Sequence, residues 1–328
     1  MSKFINKRGV ILVIVLISVL TLSACSGQKA ASSDIDYPKG NIEALVGWGA
    51  GGGTDTFARS IMKPAGDILK TNIVIVNQEG ASGAIAGDLV SKAKPDGYTL
   101  WAISSNYPLN VALGKTPHDL SKYIPVCRIQ NDIGTIQTLS GGKYNTLEKL
   151  IEAAKANPGD IKLGGTGALG FDDIIVSMWE NEAGVEFNYV PYESAGQMHT
   201  ALLGGHIDAM FEELGPTIGL IQEGRITPVL AFAENKIEEF PDLPIAPDMG
   251  WNVTEGQSRG ILVPAGTPEE IVRKLEQTFL EAKSSESYKK YEKDSYLHLR
   301  DGWLGSEDFK KQLEESIEMY KKVLEEIQ

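Results

Sequence analysis

Two glycine-rich stretches carry the residues whose types and spacing could do chemistry. In the first, Val46-Gly47-Trp48-Gly49-Ala50-Gly51-Gly52-Gly53-Thr54-Asp55, an apolar run ending at Val46 reads as a short buried strand, and Thr54 and Asp55 read as N-caps for a helix from about Thr56. The second, Gly164-Gly165-Thr166-Gly167-Ala168-Leu169-Gly170, leaves a strand at Ile161 and enters a helix with Ile174, Ile175, Met178 and Trp179 on its apolar face. Such a turn aims backbone N–H groups and the positive end of a helix dipole at one spot, so its natural guest is a small anion. Glycines at 49, 51, 52 and 53 cost backbone entropy, which points to close approach of a ligand, with Gly52 expected at a positive φ.

Other chemistries fit less well. Both loops match G-x-G-x-x-G, at Gly47, Gly49, Gly52 and at Gly165, Gly167, Gly170, but a dinucleotide site wants an acidic residue closing the next strand. After Ile73 to Val76 the chain offers Asn77 and Gln78 instead. A nucleophile elbow of G-x-S-x-G form does not occur. Asp172, Asp173, Glu212 and Glu213 could be paired as catalytic carboxylates; as helix-start and strand-end groups they read better as caps or ligand contacts. The four histidines, at 118, 199, 206 and 298, have no zinc-ligand spacing, so neither a metal nor a cofactor is expected.

The elements that must position these loops repeat one device. Phe57, Ile61, Met62, Ala65, Ile68 and Leu69 recur at helical spacing, with Pro64 expected to kink or split the helix. A β-branched strand over Ile73 to Val76 enters a second small-residue loop, Gly80-Ala81-Ser82-Gly83, and Tyr98 to Ile103 ends in Ser104-Ser105-Asn106. The second half has its own set: Phe187 to Val190 ends at Pro191-Tyr192-Glu193, and Ile207 to Phe211 ends at Glu212-Glu213. Thr267 and Ser306 read as caps of the last two helical stretches. In a parallel α/β sheet, strand ends share one edge, where ligands bind, so two sets imply two lobes facing a cleft. The apolar runs at Ile133 to Leu139 and Gly260 to Pro264 are where the chain crosses, giving a discontinuous lobe one (37–136 and 262–328) and a lobe two over 137–261.

At the N-terminus, Lys3, Lys7 and Arg8 precede an apolar run from Val10 to Leu20, a secretory signal too short for a permanent span. Leu22-Ser23-Ala24-Cys25 resembles the bacterial lipoprotein box, which implies cleavage after residue 24 and lipid on Cys25, with 25–36 as a polar tether. Removal of residues 1–24 deepens the formal charge from −13 to about −16, which disfavours nucleic acid as a partner. Cys127 then lacks a disulfide partner and reads as a small buried apolar residue.

From about Tyr37 onward the chain resembles the extracytoplasmic solute receptors of tripartite tricarboxylate transporters, the Bug receptors. The residues that carry the likeness are Val46-Gly47-Trp48 with Gly51-Gly52-Gly53-Thr54-Asp55, Gly80-Ala81-Ser82-Gly83, Pro95-Asp96-Gly97-Tyr98, Gly165-Thr166-Gly167, Val190-Pro191-Tyr192, Leu203-Gly204-Gly205-His206-Ile207-Asp208 and Pro264-Ala265-Gly266-Thr267-Pro268. The resemblance implies an α/β, two-lobed periplasmic-binding-protein-like fold of type II. A receptor of this kind closes its cleft on a small carboxylate and delivers it to a membrane permease; it is not an enzyme. A lipid-anchored monomer on the outer face of the cell membrane is the expected form. The carboxylate is expected between backbone N–H groups of Gly51, Gly52, Gly53 and Thr54, beside Trp48, Asp55, Ser82, Gly83, Ser104 and Asn106, and Thr166, Gly167, Ala168 and Tyr192 of lobe two. Glu193 or Glu212 would meet an amine. Asn77-Gln78-Glu79-Gly80 departs from the family's Asn-Arg-Pro-Gly, and Glu193 stands where a lysine is common. With Asp172, Asp173, Glu212 and Glu213 these departures would suit a monocarboxylate or an amino acid better than a tricarboxylate. A receptor for a membrane sensor and a secreted α/β enzyme remain the alternatives.

Overall fold

Strand, loop and helix alternate along the chain as β1 (Ile42–Val46), α1 (Gly53–Leu69), β2 (Ile73–Asn77), α2 (Ala84–Ser91), β3 (Thr99–Ser104), α3 (Asn106–Ala112) and β4 (Tyr123–Asp132). The order continues with β5 (Gly134–Leu139), α4 (Leu147–Ala156), β6 (Lys162–Thr166), α5 (Phe171–Ala183), β7 (Asn188–Tyr192), α6 (Ala195–Leu203), β8 (Ala209–Glu213), α7 (Leu214–Gln222) and β9 (Ile226–Ala231). It closes with β10 (Gln257–Pro264), α8 (Glu269–Lys283), α9 (Glu286–Asp294) and α10 (Ser306–Glu326). This computed structural model describes residues 35–326; the signal segment, Cys25 and all but the end of the tether lie outside the described residues. Among the described residues no helix is long and apolar enough to cross a membrane.

The strands form two five-stranded sheets built to one plan. Sheet one runs β2-β1-β3-β10-β4, and sheet two runs β7-β6-β8-β5-β9. In each, three strands joined through helices are parallel, and the fourth place holds an antiparallel strand arriving from the other lobe: β10 beside β3, and β5 beside β8. The parallel trios put the loops after β1, β2 and β3 on one edge and those after β6, β7 and β8 on another, the edge at which open α/β sheets offer a binding crevice. Each lobe has its own buried core, Leu45, Trp101, Leu262 and Phe309 in the first, Leu163, Phe171, Trp179 and Phe211 in the second. The expected changeovers at 136 and 262 fall inside β5 and β10; the sheets change over at Ile133 and between Ala231 and Gln257.

Several local expectations shift. Helix α1 starts at Gly53 rather than near Thr56, because extended Gly52 (φ −73°, ψ 166°) supplies the first acceptor, bonded by Thr56 N–H at 2.9 Å. Pro64 neither splits nor ends this helix. Gly52 does not carry the positive φ; Gly51 does, at +83°. Thr267 and Ser306 do not cap their helices with their hydroxyls, which donate to the carbonyls of Pro264 (2.8 Å) and Pro125 (2.5 Å). Strand β4 is unmarked in the sequence because Pro125 interrupts its pattern. A proline is tolerated there because β4 is an edge strand, and the β4–β10 register shifts between Ile261 and Leu262, the residue opposite Pro125.

Candidate functional site

The two glycine loops are braced by the same device. Asp55, third residue of α1, turns back to accept the Gly51 N–H at 2.8 Å, and Asp173, third residue of α5, accepts the Leu169 N–H at 2.8 Å. Each carboxylate satisfies an orphan donor and complements the helix dipole. Asp55 also takes Arg59 (2.8 Å from each of two nitrogens) and Asn77 (2.9 Å), bonds that hold its carboxyl below the usual range although burial pushes the other way. Asp172 accepts both the backbone N–H and the hydroxyl of Thr166, each at 2.7 Å. Thus the carboxylates that follow the glycine loops are structural braces first.

This bracing divides the expected donors into two groups. The N–H groups of Gly51, Gly52, Thr166 and Gly167 are held by Asp55, Gly49 O, Asp172 and Tyr192 O respectively. Among the described residues those of Gly53, Thr54 and Ala168 have no such bond, and they lie at or beside the two helix starts. Around the lobe-one loop, Gly47 and Gly83 touch backbone to backbone, since a Cβ on Gly47 would stand 2.4 Å from Gly83 Cα. Beside that contact the second loop carries three successive residues at positive φ, Ala81 (47°), Ser82 (51°) and Gly83 (91°). For Ala81 and Ser82 this is strain of about 1 kcal/mol or more each, of a kind concentrated at ligand clamps. The Ser82 carbonyl is tied to Asn110 Nδ2 at 2.9 Å, and Trp48, Ser82, Gly83, Ser104 and Tyr107 enclose a niche of about 10 Å³, room for one water.

Asn106 joins the lobes. Its Oδ1 accepts the N–H of Phe171, the first residue of α5, at 3.3 Å, while Ser104 Oγ steadies the amide from behind. Tyr192 is half-buried and Glu193 exposed, so Glu193 is set apart from the carboxylates at the end of β8. Those are buried: Glu212 bonds His199 Nε2 at 2.6 Å, and Glu213 lies 3.8 Å from Arg259 Nη2.

No local pattern marks Arg259, the centre of this region. Its Nη1 pairs with Asp132 at 2.7 Å, its Nη2 approaches Glu213, and the guanidinium rests on the start of α1, where a Cβ on Gly53 would stand 2.6 Å from Nη2. One cation therefore joins β4, β8, β10 and α1. The detectable signal was an arginine at the entry of a strand that turns apolar after it, Arg259-Gly260-Ile261-Leu262-Val263. Burial, reinforced by mutual repulsion and opposed by Arg259, raises Asp172 and Glu212 to about 7 and Glu213 to about 8. Burial likewise raises Asp132 to about 6, though Arg259 opposes it, and pushes His199 down. Among the described residues no group of three or more metal-ligating side chains is gathered.

Comparison with known proteins decides the family. Residues 57–328 match the family model described as "Tripartite tricarboxylate transporter family receptor". The chain belongs to this family. The receptor is 28% identical to Protein BugT of Bordetella pertussis over 270 residues, covering 80% of this chain and 82% of that protein. A solved TctC solute-binding protein from Polaromonas, without ligand, superposes with a TM-score of 0.73 at 27% identity, covering 88% of the receptor and 99% of that chain. An R. palustris protein solved with adipate shares the fold, with a TM-score of 0.79 at 24% identity over 88% of the receptor and 98% of that chain. The receptor thus has the two-lobed solute-binding architecture, and its family is one of receptors rather than enzymes.

Proposed function

We propose that this receptor, anchored by lipid on Cys25 at the outer face of the cytoplasmic membrane, captures a small carboxylate between its lobes and delivers it to a permease of the tripartite tricarboxylate type. What carries the reading is that each lobe presents a helix start after a glycine loop, at Gly53 and at Phe171, and that Asn106 after β3 bonds the Phe171 N–H across the lobes. Helix starts favour anions, and the Gly53, Thr54 and Ala168 donors are the ones left for a guest. A hinge at Ile133 and before Gln257 would open this cleft for release.

The charge beneath the cleft narrows the guest. Asp132, Asp172, Glu212 and Glu213 surround Arg259, and their crowding disfavours a ligand with several negative charges. A monocarboxylate, or an amino acid whose ammonium group faces Glu193 or the β8 end, fits better than a tricarboxylate. Mass spectrometry of ligand released from the purified receptor tests this directly, followed by calorimetry with the compound found. A bound tricarboxylate would reject the charge argument, and a compound without any carboxylate would reject the reading itself. For the anchor, labelling cells with a clickable fatty acid should mark the native chain and leave Cys25→Ser unmarked.

A further inference from the structure

A second cavity, of about 300 Å³, lies where the chain passes between the sheets; Ser104 and Ser105 at the end of β3 line it, and no residue of the two glycine loops does. One wall is the C-terminal helix α10, which spans both lobes: Phe309 and Leu313 pack into the lobe-one core, and Tyr320 packs into the lobe-two core. Where the two cores part beneath this helix, the space is filled by neither. The opposite wall holds Asn131 at the end of β4 and Glu255 and Gly256 before β10, the two places where the chain passes between sheets. The volume equals that of about ten waters and reaches the lower range of small-molecule sites.

Among the described residues two opposite charges on this lining, Arg128 and Glu255, form no ion pair, although Asp301 and Glu234 act on the first and Arg300 on the second from beyond contact distance. Arg128 is 9% exposed, and its guanidinium donates to backbone carbonyls alone, Gly302 O at 2.9 Å and Asp301 O at 3.4 Å. Glu255 is half-buried and accepts the Thr254 N–H at 3.1 Å; among the described residues no lysine, arginine or histidine forms an ion pair with it. The neighbouring Glu234 is already committed to Arg300 at 2.8 Å. Buried charges lacking partners are costly, and their usual resolution is a counter-charge. Burial lowers Arg128 to about 10 against the pull of Asp301, and raises Glu255 against the pull of Arg300. Phe309, Leu313, Met319 and Tyr320 supply an apolar wall between them.

We propose that this hinge cavity is a second binding site, separate from the cleft, for a small zwitterion with an apolar body, its anionic group on Arg128 and its ammonium group facing Glu255. A simple anion would leave Glu255 unpaired, and a simple amine would leave Arg128 unpaired. Calorimetry on the full-length receptor with leucine, phenylalanine and 5-aminopentanoate tests it, with 4-methylpentanoate and isoamylamine as single-charge controls. At least one zwitterion should bind saturably, at least tenfold more tightly than either control. Glu255→Gln and Arg128→Gln should each weaken it tenfold or more. Because Arg128 also holds the 301–302 backbone, Ser316→Phe provides a fold-neutral check: it fills the cavity from α10 without removing either charge, and should abolish the binding. Gly47→Ala, at the cleft, should leave it unchanged. No binding of any of the three zwitterions overturns the proposal, as does binding that survives Ser316→Phe and falls with Gly47→Ala.

Discussion

Replacing Arg259 by methionine would remove the one cation at the centre of four buried carboxylates while keeping most of the side-chain volume. The lost contacts are the 2.7 Å pair to Asp132 and the 3.8 Å approach to Glu213. Removing one partner of a buried pair typically costs about 3 to 5 kcal/mol, because the other charge stays buried without compensation. Here the cost should depend on pH. At pH 8 Asp132, raised to about 6, is ionised and Glu213, raised to about 8, is half ionised, so most of the penalty applies. At pH 5 both hold protons, and the loss falls to that of ordinary hydrogen bonds, about 1 to 2 kcal/mol. For a chain of this size each kcal/mol moves Tm by roughly 2 °C. Thermal unfolding followed by circular dichroism should therefore show Arg259→Met melting about 6 to 10 °C below the parent at pH 8 and less than half that at pH 5. An equal deficit at both pH values, or a larger one at pH 5, would refute the electrostatic account of Arg259.

The parent chain should itself lose stability as pH rises. Asp132, Asp172, Glu212 and Glu213 are all raised in the folded state, so their contribution is complete below about pH 4 and is lost as pH climbs through about 6 to 8; His199, depressed, opposes them as a single group. Urea midpoints should thus fall between pH 5.5 and 8.5, and a rising midpoint would contradict the burial of these carboxylates. Gly47→Ala places a Cβ 2.4 Å from Gly83 Cα, so the two loops must separate. The expected result is a loss of about 1 to 3 kcal/mol in stability and at least tenfold weaker binding at the cleft, where native affinity by calorimetry would move the site elsewhere. Asn106→Ala removes the 3.3 Å bond between the lobes and should weaken ligand several-fold with little change in Tm; unaltered affinity would exclude that bond from closure.

The repeated units and their punctuation can be read from the order of residues. Val46 into Gly47 to Asp55, Ile161 into Gly164 to Gly170, and the Pro95-Asp96-Gly97 turn are legible because strand periodicity, glycine and helix-start carboxylates act over a few neighbouring residues. The turn is a clear case: Gly97 adopts φ +80°, and Asp96 accepts the Tyr98 N–H at 3.1 Å. Tertiary structure alone decided what those carboxylates do. Asp55, Asp172 and Asp173 look alike as helix-start acids, yet each is committed backward to its own loop, a choice set by loop geometry rather than residue type. Strand β4 was hidden by Pro125, which only its edge position makes tolerable. Asp132, Glu213 and Arg259 lie far apart in the chain and meet because β10 and β5 cross into opposite sheets. Local preferences are short-ranged, whereas the pairing of buried charges depends on sheet order and register, which no window of neighbouring residues contains.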